Sequence, residues 1–184
     1  MRKLLPLLAL AAIATPLATS VAAQATDPMP ASYREVQLAA LKEQRRLLLS
    51  FADSMPERLY RSKATPAQRS FAEQVQHAAG SAALIASMYT SATRTRWNFA
   101  DTAAANGTRA GLKAFINSAY DFAEARLAAQ TGAERAQTYN LFGAKTVPGW
   151  QVWDEIYSHT MWTAGQVVAN FRGNGMAPPG FGFF

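Results

Sequence analysis

Two histidines, His77 and His159, are the residues best suited to chemistry in this chain, which contains no cysteine. Glu73 stands four residues before His77 and Glu155 four before His159, so Glu-x-x-x-His occurs twice. On a helix that spacing stacks the carboxylate one turn from the imidazole. Imidazole and carboxylate together suit a divalent metal ion or acid–base work. With no thiolate available, any metal must be held by His, carboxylate and water, and both disulfides and thiolate catalysis are excluded. One half of the repeat has a structural explanation as well. Ser70-Phe71-Ala72-Glu73 reads as a helix capping box in which Glu73 bonds back to the cap amide.

The second histidine belongs to a file. Glu155, His159, Thr163, Gln166 and Asn170 recur at steps of four, four, three and four, and so share one helix face. Such a face is either solvated, as every outer helix of a bundle needs, or turned inward to meet His77, as bundle cores do when they build metal sites. His77 likewise admits a purely structural role, flanking an apolar stripe near Leu84 and Met88.

Four helices are expected to position these residues. The first runs from Tyr33 to Met55, with Leu41, Leu48, Ala52 and Met55 at helical spacing, and Pro56 ends it. The second follows Ser70 to about Thr90. Phe71, Val75, Ala78, Ala82, Ile85 and Tyr89 form its apolar stripe, and no charge occurs from Ala78 to Thr93. A polar stretch from Arg94 to Thr108 is anchored by Trp97 and Phe99, with a turn at Asn106-Gly107. The third helix spans Arg109–Gln130 and stops at Thr131-Gly132. Ala133–Thr146 reads as a connection with one short helical turn over Ala133–Tyr139, and no β-alternation is visible. The fourth helix opens at Pro148 and runs to Arg172, before Gly173-Asn174-Gly175 and Pro178-Pro179. Trp150, Trp153 and Trp162 crowd it; Trp153 reads as core, while Trp162, beside Thr163, could be core or pocket wall.

The first 25 residues read as a leader rather than fold. Arg2 and Lys3 precede an apolar run, Leu4 to Leu17, that is too short to span a bilayer, and small residues follow with cleavage after Ala23 or Ala25. With no cysteine there, lipidation is excluded, and the expectation is an exported, periplasmic protein free of the membrane once cleaved. Loss of Arg2 and Lys3 lowers the formal charge from +6 to +4. About 160 residues remain, enough for one domain with a core. The remaining cations alternate with acids, as in Lys42-Glu43 and Glu134-Arg135, so no nucleic-acid surface is indicated. No Gly-x-Ser-x-Gly elbow supports serine hydrolysis.

Two segments carry a resemblance. The first is Met55-Pro56-Glu57 leading through Pro66 and Arg69-Ser70-Phe71-Ala72-Glu73-Gln74 to His77. The second is His159-Thr160-Met161-Trp162-Thr163-Ala164-Gly165-Gln166, continuing through Phe171-Arg172 to Pro178-Pro179. Together they resemble the DinB/YfiT-like family, whose second segment reads His-x-x-x-His-x-Gly-Gln. The resemblance covers nearly the whole mature chain. It implies an all-α four-helix bundle over residues 26–180, with 181–184 left as an apolar tail, and admits a homodimer. It further implies a nickel or zinc ion held by three histidines and used for metal-dependent hydrolysis or thiol transfer. His77 and His159 match two ligands, whereas Thr163 stands at the third. A threonine hydroxyl is a poor ligand for such ions. Glu155 is then the remaining candidate for a substitute ligand or a general base. The alternative is a bundle that has lost the metal and serves as a small-molecule-binding or structural envelope protein, the apolar tail Phe181–Phe184 then offering a contact.

Overall fold

A computed structural model describes residues 26–91, 97 and 105–180. The leader expected over 1–25 and the apolar tail expected over 181–184 lie outside the described residues, as does Phe99. The described chain is mostly helical with one small two-stranded sheet. Its elements are α1 (Ala31–Ser54), a 3-10 turn (Glu57–Leu59), α2 (Phe71–Tyr89), α3 (Arg109–Ala129), α4 (Gly132–Ala136), β1 (Thr138–Leu141), β2 (Lys145–Pro148) and α5 (Val152–Gly173). No described helix is long and apolar enough to cross a membrane.

Helix ends fall where local chemistry puts them. Met55 is driven to extended geometry (φ −79°, ψ 128°) by the proline that follows, and α1 stops there. At Ser70 the capping box forms in full: Glu73 Oε2 accepts from the Ser70 amide and hydroxyl, each at 2.8 Å, and Ser70 Oγ accepts from the Glu73 amide. Thr108 caps α3 through the Gly111 amide at 3.1 Å.

The helices pack as a closed circuit. α2 lies against both α3 and α5, and α1 closes the other side against the same two helices. Alanines 78, 79, 82, 83 and 86, all buried, let neighbouring backbones approach α2 closely. At one end Phe171 of α5 sits 5.7 Å from both Phe51 of α1 and Phe71 of α2, ring centre to ring centre, and ties three helices together.

The segment after α3 departs from the sequence expectation. Thr131 does end the preceding helix, yet it also caps α4 through a second capping box with Glu134. Tyr139 then belongs to a strand rather than a helical turn. β1 and β2 pair antiparallel, with Thr138 opposite Pro148 and Leu141 opposite Lys145. The turn between them runs through Phe142 (φ 51°) and Gly143 (φ 78°), both left-handed. Pro148 ends β2 instead of opening the last helix, which starts four residues later at Val152. Gly149 is fixed by contact: a Cβ there would lie 2.0 Å from the Glu134 carbonyl oxygen.

Candidate functional site

α2 and α5 bring His77 and His159 together. Their rings meet edge to face, with centroids 5.3 Å apart and planes at 71°. Both are half-buried. His77 Nδ1 lies 3.4 Å from Ser81 Oγ one turn on, whereas His159 Nδ1 is buried without a hydrogen-bond partner. Burial holds both imidazoles below their ordinary pKa, and the positive field of Arg69 pushes the same way; His159 adds to the effect on His77. Both rings are therefore neutral near pH 7, the form that donates a lone pair to a metal. Two imidazoles sharing one tetrahedral zinc, with Zn–N bonds of about 2.0–2.1 Å, set their centroids about 5 Å apart. The observed separation matches chelation as well as ring packing.

The polar file of α5 turns inward over most of its length. Thr163 and Asn170 are each 1% exposed, and Gln166 Oε1 accepts from Gln74 Nε2 of α2 at 3.2 Å. Thr163 thus occupies a buried place one turn beyond His159. Glu155 is engaged elsewhere, accepting from Lys145 Nζ at 2.6 Å and from Gln151 Nε2 at 3.1 Å. Among the described residues no group of three His, Cys, Asp or Glu is placed to hold a metal ion. Glu155 consequently does not complete a ligand set with the two histidines in this arrangement. Glu73 is committed to its cap.

Beside His77 opens a cleft of about 690 Å³ between the outer face of α2, the 63–69 loop and the start of α3. Lys63 and Arg69 stand at its rim and Leu84 and Phe115 form its apolar floor. Sequence reasoning singled out neither cation. Arg69 directly precedes the α2 cap, and only the folded loop carries it and Lys63 to the same opening. Trp153 and Trp162 part ways, while Trp150 is half-buried. Trp153 is 2% exposed and donates to Gln130 Oε1 at 2.8 Å, as a core residue should; Trp162 is 75% exposed and stands outside.

A second polar cluster occupies the opposite end of the helices, and it was missed entirely. Arg135, fully buried, is ion-paired through Nε to Asp27 and donates from Nη1 to Gln37 Oε1 at 3.1 Å. Gln37 in turn donates to the Trp150 carbonyl at 2.7 Å and to Asp154 Oδ1 at 3.0 Å, and Tyr33 donates to Asp154 Oδ2 at 2.7 Å. This knot binds the segment before α1 to α4 and the start of α5. Its charged groups pair with one another inside the cluster, which marks it as structural. Neither cluster is interpreted by likeness to a known protein, since no family model, curated protein or solved structure matches the chain.

Proposed function

We propose that this chain is an exported DinB/YfiT-like four-helix-bundle protein, with α1, α2, α3 and α5 as the bundle, whose His77–His159 pair binds a divalent ion such as nickel or zinc. The observation that carries the reading is the edge-to-face meeting of two neutral imidazoles from different helices, one with a buried and unpartnered ring nitrogen. Supporting it is the mutual packing of the four long helices. The residues present fit two donors of such an ion. They do not fit the three-histidine set that the resemblance implies, because Thr163 offers only a buried hydroxyl and Glu155 is held by Lys145. Water must then complete the shell, and the affinity must be lower than a three-histidine site gives. When bound, such an ion supplies Lewis acidity, lowering the pKa of a coordinated water or thiol. The chain itself contributes neutral imidazoles, held neutral by burial and by Arg69, and a Gln74–Gln166 bond that closes the groove between α2 and α5.

A second reading is favoured by Thr163. A bundle in which the third ligand has become threonine can keep the pocket as a non-catalytic small-molecule site after losing the metal. Elemental analysis of untagged protein decides between them. Near-stoichiometric nickel or zinc, lost in a His159→Ala variant, supports the metal reading. A chain that stays free of metal after incubation with either ion retires it in favour of the second.

A further inference from the structure

The cleft beside His77 has a charge pattern of its own. Among the described residues its ionised lining groups are Lys63, Arg69 and Glu73, a net charge of +1 (2 − 1). The two cations are exposed and form no ion pair within 4.0 Å among the described residues, while the Glu73 carboxylate already accepts from the Ser70 amide and hydroxyl. The cationic rim is thus available to a ligand and the carboxylate is largely committed. Beneath the rim, Leu84 and Phe115 give an apolar floor. Gln68 and Asn106 also line the cleft. The volume of about 690 Å³ lies in the range of small-molecule sites.

We infer that this cleft binds a small amphipathic organic anion, its carboxylate or phosphate held by Arg69 and Lys63 and its apolar body on Leu84 and Phe115. Guanidinium and ammonium groups bind such anions through charge-assisted hydrogen bonds, and an open rim lets the ligand keep part of its hydration. The inference stands on the cleft alone and holds whether or not the histidine pair carries a metal. His77 lines the cleft and touches His159, so the ligand is sensed at the imidazole.

The test is titration of chelator-treated protein with N-acetyl-L-phenylalanine, which offers a carboxylate and a ring. The readout is the imidazole proton resonances, assigned with a His159→Gln variant. A saturable shift of the His77 signal is expected, with a dissociation constant of roughly 1 mM or tighter for a ligand of this size. The uncharged analogue N-acetyl-L-phenylalaninamide, and the double variant Lys63→Gln with Arg69→Gln, should each weaken binding about tenfold. Phenyl phosphate distinguishes the anion: tighter binding than the acylamino acid assigns a phosphate ester, weaker binding a carboxylate. The inference is overturned if neither anion gives a saturable shift up to roughly 10 mM. It is equally overturned if acid and amide bind alike, or if the double variant binds as the parent does. Both substituted positions are exposed, so loss of fold does not confuse the result. Metal content, measured separately, speaks only to the histidine pair.

Discussion

Two polar clusters lie within one helical molecule, and they differ in how their groups are satisfied. Around Arg135 an ionised guanidinium is wholly buried, ion-paired through Nε with Asp27 and donating from Nη1 to Gln37 and Gln130, with Nη2 left unpartnered. Around His77 and His159 the groups are neutral, half-buried and poorly bonded, and a cleft opens beside them. A buried, ion-paired network is costly to disturb. An open one contributes little to folding and keeps its lone pairs for something else. The difference separates a fastening from a site without reference to any relative.

The largest expected effect therefore falls on the fastening. Arg135→Ala removes a wholly buried side chain and leaves Gln37 Oε1 without its donor, while Asp27 keeps the Met29 amide and Arg34 and Gln130 keeps Trp153. It should lower the free energy of unfolding by about 3 kcal/mol in urea titration. Asp27→Asn leaves the cation buried with weaker partners. Since the Asp27 side chain is 22% exposed, a loss nearer 2 kcal/mol is expected. Substitution at the site should act differently. Thr163→His, which supplies the third imidazole that the proposed reading calls for, should raise zinc or nickel affinity at least about tenfold, measured by competition with a chromophoric chelator. Unchanged affinity would show that the groove no longer admits the geometry. His77→Gln and His159→Gln should each change stability by less than about 1 kcal/mol. A loss as large as that for Arg135 would make the histidines a second fastening.

Acid titration sharpens the contrast in metal-free protein. Both histidines have folded pKa values below 6.5, chiefly from burial, so the unfolded chain binds protons first. Stability is then full above pH 6.5 and declines as pH falls from there through the folded values. Asp27 acts lower. Burial alone would raise its carboxyl, but the Met29 amide and the Arg34 and Arg135 guanidiniums outweigh it and hold it below 3.8. Its contribution is present above 3.8 and is lost below that, as pH falls through the folded value. The double His→Gln variant should flatten the upper decline only, and Asp27→Asn the lower one.

Much of the helical scaffold was legible because its signals are local. The Ser70–Glu73 box, the Met55-Pro56 stop and the α2 stripe act within a turn or two of chain. The hairpin was not. Each strand has four residues, too few for alternation to register, and its turn uses Phe142 in left-handed geometry where an Asn-Gly pair would have announced it. Glu134-Arg135 reads as a solvated pair, yet Glu134 caps α4 while Arg135 enters the interior, a choice made by Asp27 and Gln37 far away in sequence. The inward turn of Thr163 and Asn170 was equally undecided. Periodicity places residues on one face without saying which neighbour that face meets. His77 and His159 were identifiable as candidates, but their meeting, and the cations over the adjoining cleft, depend on antiparallel packing and on a loop.

The uneven exposure of the tryptophans has an optical consequence. Trp153 and Trp97 are enclosed at 2% and 8% exposure, while Trp162 projects from α5 at 75%. Iodide should quench a red-shifted fraction of the fluorescence, chiefly from Trp162 with a smaller part from the half-buried Trp150, and leave a blue-shifted remainder from Trp153 and Trp97. Because Trp162 adjoins Thr163 on the same helix, its share of that fraction reports on the outer surface of α5 at the level of the histidines, with no label added.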